Sequence, residues 1–173
     1  MATRKDDRVV VWAHNNHVGD ARSVEPQINN RRKLNMFQLI KENYPNECIN
    51  IGQFTCNGNI FATDSWGGDY KTFVLKDCLP NSWESLFKQV HKEINNNVFA
   101  LDFRGQKLRN ATIKLVGPRL ERTIGAVYEW CNESETDYSL TNLANQFDIC
   151  ISYEFTTEII PLVNEFDICK CIP

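Results

Sequence analysis

Short apolar runs, none as long as ten residues, alternate along this chain with stretches patterned for helix, and that alternation restricts the fold more than any other feature. Short β-branched runs suit strands, whereas apolar residues recurring every three or four positions suit helices. Residues 8–13, with Val9-Val10-Val11-Trp12, read as a strand buried on both faces. Residues 21–30, which include Pro26, read as a loop. Leu34, Phe37, Ile40 and Tyr44 recur at helical spacing over 31–44, and Tyr44-Pro45-Asn46 ends that helix. Residues 48–55 read as a strand, Asn57-Gly58 as a hairpin turn, and 59–63 as the returning strand. Residues 70–75 and 97–103 are further strands. Asn81 is placed to cap a helix through Leu86, Phe87 and Val90, with Glu84 completing a reciprocal cap. Residues 123–130 and 147–153 close the series of strands, with a short helix over 136–145 between them. The segment 104–122 is charged and without clear periodicity. Strands alternating with helices, plus a hairpin, specify an α/β fold: a mixed, largely parallel sheet flanked by helices.

With 173 residues and 42% hydrophobic content, the chain has material for one core. Its net charge of −3 offers no basic face for nucleic acid, and its apolar runs are too short to span a membrane. The N-terminus is polar and charged, without the apolar region of a secretory signal. Seven cysteines, an odd number with no Cys-x-x-Cys pair, then read as reduced thiols of a cytoplasmic protein. Asn145-Gln-Phe-Asp-Ile-Cys150 recurs as Asn164-Glu-Phe-Asp-Ile-Cys169, and two copies do not make a repeat architecture. Cys169-Lys-Cys171 is too little to argue a metal site.

Two of the three histidines, His14 and His17, follow directly on the first apolar run in Trp12-Ala-His-Asn-Asn-His-Val-Gly-Asp-Ala-Arg22. In open α/β sheets ligands bind beyond the carboxyl ends of strands, where this pair falls. Imidazole titrates near neutrality and can give or take a proton there. Asp20 could orient an imidazole, Arg22 could hold a carboxylate or developing oxyanion, and Asn15 and Asn16 add neutral hydrogen-bonding groups. Spacing alone leaves three readings open: a hydrogen-bonded turn, acid/base or oxyanion chemistry, and metal binding. The last is disfavoured, because His-x-x-His lacks the spacing and glutamate of zinc peptidases. His91, in the capped helix, reads as a surface or packing residue. No cysteine has a histidine beside it in sequence, so no thiol nucleophile is indicated.

The stretch Val9 to Arg22 closely resembles a signature of the erythromycin esterase family, in which an apolar strand runs into Trp-Ala-His-Asn-x-His and then Gly-Asp. Further matches follow in the family's order. Gly58-Asn-Ile-Phe-Ala62 is similar to its Gly-x-Phe-x-Ala hairpin with one residue more. Asn81-Ser-Trp-Glu84 resembles its Gly-Ser-Trp-Glu helix start. Arg122-Thr-Ile-Gly-Ala-Val-Tyr128 resembles its Arg-x-x-Gly-Ala-Val-Tyr segment, and Phe147-Asp148 through Thr156-Thr157 and Pro161-Leu162 its closing strand and loop.

The resemblance implies an α/β hydrolase that activates water to cleave a carboxylic ester or macrolide lactone, in response to antibiotic, with neither metal nor other cofactor. By it His14 and His17 match the paired active-site histidines, while Asn15, Asp20 and Arg22 fall at supporting or substrate-binding positions. Family members are more than twice this long and carry, in their N-terminal half, a Gly-Glu-x-x-His-Gly motif with the general base. No such motif occurs in this sequence. The expectation is therefore a C-terminal half, residues 1–163, of a larger esterase-like fold, with an irregular tail over 164–173. Its expected partners are a small-molecule ester or lactone and a missing N-terminal half or second chain, with neither nucleic acid nor membrane. The alternative is a catalytically inactive fragment that serves as a binding or interaction module.

Overall fold

A computed structural model of the chain describes residues 8–24 and 34–160. The Pro26 loop, the first residues of the expected helix at 31–33, Pro161-Leu162, the second copy of the near-repeat, Cys169-Lys-Cys171 and the 164–173 tail lie outside the described residues. In chain order the elements are α1 (Asn15–Val18), α2 (Met36–Asn43), β1 (Ile51–Ala62), β2 (Lys71–Val74), α3 (Trp83–Ile94), β3 (Val98–Asp102), α4 (Gln106–Ala111), β4 (Arg119–Arg122), α5 (Glu133–Thr136), β5 (Tyr138–Thr141), α6 (Leu143–Gln146) and β6 (Ile149–Thr156). No helix among the described residues is long and apolar enough to cross a membrane.

Four strands form one sheet in the order β2-β1-β6-β3, and β4 pairs with β5. The central pairing is parallel: Ile149 N–H donates to Asn50 O near the start of both strands, and Thr156 Oγ1 donates to Asn59 O farther along both. On one side β2 runs antiparallel to β1, with Asn59 opposite Val74 and Ala62 opposite Lys71. On the other, Glu154 N–H donates to Asn97 O and Phe103 N–H to Asp148 O, so β3 is antiparallel to β6. The sheet is thus mixed and the fold α/β, as the alternation of patterns implied.

The chain divides into two compact units. One holds the described residues up to 53 with Leu101–Arg119 and Ser139–Cys150; the other holds Phe54–Ala100, Leu120–Tyr138 and 151–160. In the first unit Phe37, Phe103, Leu143 and Phe147 are buried. The second is built on an aromatic chain in which Phe87 meets Phe54, Trp83 and Phe99 at centroid distances of 5.6, 6.2 and 5.5 Å. Beside it Ala62, Leu75 and Tyr128 pack with Ile60, Phe73 and Ile124.

Several local expectations are altered. Residues 8–13 form no strand, and Val9, Val10 and Trp12 are 69%, 88% and 87% exposed. A β-branched run becomes a strand only on finding a ladder partner, and among the described residues this one has none. Asn57-Gly58 is not a turn: β1 runs straight through it, and the hairpin lies farther on, between β1 and β2. The N-cap of α3 is Ser82, whose hydroxyl accepts from Ser85 N–H at 3.0 Å, while Asn81 takes a left-handed φ of 63°. The expected helix over 136–145 is divided into α5, β5 and α6, and 123–130 runs without forming a named strand.

Candidate active site

The histidine segment is a tight turn of the first unit. His14 caps α1: its backbone carbonyl accepts from His17 N–H at 2.8 Å, and its Nδ1 accepts from Asn16 N–H at 3.1 Å. A ring nitrogen that accepts a hydrogen bond carries no proton, so the neutral imidazole of His14 is protonated on Nε2. Both imidazoles are exposed. Asn15 works as a clamp, its Oδ1 accepting from Gln53 N–H at 3.1 Å and its Nδ2 donating to Gln53 O at 2.7 Å, which ties α1 to the start of β1. Asn35, the cap of α2, donates from Nδ2 to Asn16 O and Gly19 O, at 2.9 and 2.6 Å. Gly19 is required by close approach, since a Cβ there would lie 2.9 Å from Gln146 Nε2 and from the tip of the Phe147 ring.

Asp20 and Arg22 are engaged with each other rather than with an imidazole. Asp20 Oδ1 accepts from Arg22 N–H and Nε–H, at 3.1 and 2.9 Å, and Oδ2 accepts from Nη2 at 2.6 Å. Arg22 Nη1 also lies 3.7 Å from Glu42 Oε1. Asp20 is buried, which by itself raises a carboxyl pKa, yet the bonds from Arg22 overcome that and hold it below its ordinary value. A carboxyl with a lowered folded pKa contributes stability above its unfolded pKa and loses it as pH falls through the folded value. Asp20→Asn is therefore expected to destabilise the chain by about 1–2 kcal/mol at pH 7, with the difference shrinking below about pH 4. Urea unfolding at both ends of that range measures this, and a difference unchanged at pH 3 would refute it.

The structure also assembles two buried arrays in the second unit that sequence spacing did not show. In one, His91 Nδ1 lies 2.7 Å from Asn96 O and its Nε2 3.0 Å from Ser152 Oγ. A backbone carbonyl can only accept, so Nδ1 carries the proton and Nε2 accepts from the serine hydroxyl. This geometry matches an activated serine, but both side chains are 1% exposed and the ring lies 4.6 Å from that of Phe99, so the pair is a packed core contact. Nearby Cys56 is equally sealed, its thiol pushed up to about 12 by burial, and it is no nucleophile at neutral pH.

The second array joins two of the motifs noted above. Glu84, from the α3 start, accepts from Arg122 N–H at 3.0 Å through Oε1. Arg122 donates from Nε to Tyr138 Oη at 2.9 Å and from Nη2 to Lys76 O at 2.8 Å. Its Nε also lies 2.9 Å from Glu133 Oε1, an ion pair without hydrogen-bond alignment, because the single Nε–H is directed at Tyr138. Glu84 and Arg122 were each visible as letters of a motif; 38 residues of intervening chain hid their contact. Among the described residues no group of histidine, cysteine and carboxylate side chains has the form of a metal site.

The sequence profile of the erythromycin esterase family matches residues 1–156, which is most of the chain. The chain belongs to the erythromycin esterase family. Solved structures share its fold. A succinoglycan biosynthesis protein is similar at 24% identity and a TM-score of 0.65, over 84% of this chain and 32% of that one. A Bacillus cereus protein is similar at 19% identity and a TM-score of 0.65, over 84% of this chain and 33% of its own. A mutant of the erythromycin esterase EreC in its open conformation is similar at 13% identity and a TM-score of 0.51, over 85% and 32%. The chain thus spans about a third of the length of these three structures.

Proposed function

We propose that this erythromycin esterase family chain contributes one wall of a hydrolytic site that cleaves a carboxylic ester or macrolide lactone by attack of water. The observation that carries the reading is the tautomer of His14. With Nδ1 accepting from Asn16 N–H, Nε2 is the protonated nitrogen, suited to donate to an ester carbonyl oxygen as it becomes an oxyanion, or to protonate the leaving alkoxide. His17 lies on the same exposed turn, where it supports the same substrate group. Asn15, Asp20 and Arg22 act as positioning residues: the Gln53 clamp and the Asp20–Arg22 pair fix the turn on both sides of the histidines. By the family resemblance, the base that takes the proton from water comes from a further part of the site, carried on the remaining two thirds of the family fold or on a second chain.

A second reading, an inactive module that binds a partner, draws support from the exposure of Val9, Val10 and Trp12 directly before the turn. One assay separates the two. Macrolide lactone and simple ester hydrolysis are measured for the chain alone, and for the chain mixed with a polypeptide carrying the remainder of a family fold. Hydrolysis by the mixture, lowered about a hundredfold by His14→Asn, is the expected result. Asparagine can still cap α1, so the loss would report chemistry rather than folding. A mixture that forms a complex yet hydrolyses no ester would leave only the binding reading.

A further inference from the structure

Two asparagines outside the histidine motif hold the turn that carries it. We propose that Asn35 and Asn50 are positioning residues for His14, fixing the orientation and the tautomer of its imidazole. The proposal rests on the role given to His14 above, and it extends that role to two residues the motif does not contain.

The turn cannot keep its shape unaided. α1 has four residues, a single turn, and so short a helix has little stability of its own. The last carbonyls of a helix also lack partners within it. Asn35 and Asn50 supply those partners from outside. Asn35 Nδ2 donates to Asn16 O at 2.9 Å and to Gly19 O at 2.6 Å. Asn50 Nδ2 donates to Val18 O at 2.9 Å and to Gln146 O at 2.7 Å.

Each amide is oriented by its other end. Asn35 Oδ1 accepts from Gln38 N–H at 3.0 Å as the cap of α2, which turns its Nδ2 toward α1. Asn50 Oδ1 accepts from Asp148 N–H at 2.8 Å, and Asn50 N–H donates back to Asp148 Oδ2 at 3.1 Å. A backbone N–H bonds only the oxygen of an amide, so both orientations are fixed, and each Nδ2 uses both of its protons. Asn50 is 4% exposed, so water cannot stand in for the donor it gives Val18. The effect reaches His14 through Asn16. Asn35 holds that residue at its carbonyl, while its N–H bonds His14 Nδ1. If α1 frays, the ring is released to rotate and to carry its proton on either nitrogen.

The test is nitrogen-15 NMR of the full chain, read at the His14 ring, with hydrogen exchange at Gly19 N–H, which closes α1 on Asn15 O. Two variants remove the donors without adding charge. Asn35→Ser keeps a hydroxyl to cap α2 but cannot reach α1, and Asn50→Ala removes both amide donors. In the native chain His14 should show a protonated Nε2 and an Nδ1 that accepts a hydrogen bond. In each variant the Nδ1 resonance should move toward that of an unbonded ring nitrogen, and Gly19 N–H should exchange roughly tenfold faster. His91, bonded through both ring nitrogens in the other unit, is the internal control and should not move. In the hydrolytic mixture described above, Asn35→Ser should lower kcat about tenfold at nearly unchanged KM. Unchanged His14 signals in the folded variants would reduce both asparagines to fold supports and overturn the proposal. A native His14 without the acceptor signature would overturn it too. If Asn50→Ala fails to fold, Asn35→Ser decides alone. A native mixture that hydrolyses nothing would sink the catalytic reading of His14, while the ring signals would still decide whether the asparagines position it.

Discussion

Gly58→Ala is expected to destabilise the chain by about 4 kcal/mol or more, among the largest losses any single methyl group can cause. Gly58 has φ of 121°, a conformation that L-residues rarely adopt. A Cβ built there would lie 2.0 Å from Thr156 O and 2.7 Å from Thr156 N. Both atoms are backbone of β6, so no side chain can swing away to make room. Relief demands that β1 and β6 separate, and theirs is the parallel pairing at the centre of the sheet. Gly67 supplies the comparison. It too has a positive φ, 79°, but a Cβ at that position would meet nothing within 4 Å. Gly67→Ala should therefore show only the conformational cost of about 1 kcal/mol. Parallel urea titrations of the two variants separate crowding from backbone strain, and equal losses would contradict the crowding argument.

The same glycine shows where sequence reasoning stops. Asn-Gly is the strongest local signal for a hairpin, and nothing within several residues of Gly58 argues otherwise. What overrules it is the backbone of Thr156, 98 residues later, against which only glycine fits. Residues 8–13 illustrate the converse. Their β-branched composition is right for a strand, but a strand is a property of two segments, and one was legible. Elements whose limits are set locally were legible. Tyr44-Pro45 closes α2, and the expected strand over 70–75 becomes β2 within a residue of its expected ends.

The candidate site divides along the same line. A turn bearing His14, Asn15, His17, Asp20 and Arg22 could be read as a constellation, because its residues are neighbours in sequence. Which of them are engaged elsewhere could not. Asp20 has the right chemistry to orient an imidazole, and only the structure shows its oxygens bound to Arg22. Asn15 likewise has the chemistry of a substrate contact, while its amide is committed to Gln53.

Arg122→Met is expected to cost about 3–5 kcal/mol at neutral pH, because it leaves buried carboxylates without their cation. Glu84 and Glu133 are 1% and 3% exposed; the Arg122 guanidinium is paired with Glu133, and its charge also acts on Glu84, which its backbone N–H bonds. Burial already pushes the Glu84 carboxyl above its ordinary value, with Arg122 opposing the shift. Removing Arg122 lets the pKa rise further. A carboxyl whose folded pKa is raised binds more protons folded than unfolded, so stability falls as pH rises above the ordinary carboxylate value. The loss in Arg122→Met should accordingly be smaller near pH 5 than near pH 8. Adding Glu84→Gln and Glu133→Gln to Arg122→Met removes the uncompensated charges and should recover most of the loss at pH 8. Glutamine can keep the acceptor that Arg122 N–H uses, since that donor is backbone and survives the substitution. If the triple variant is no more stable than Arg122→Met, the cost lies in lost packing of the long side chain against Tyr138, 5.6 Å from its guanidinium, and the electrostatic account fails.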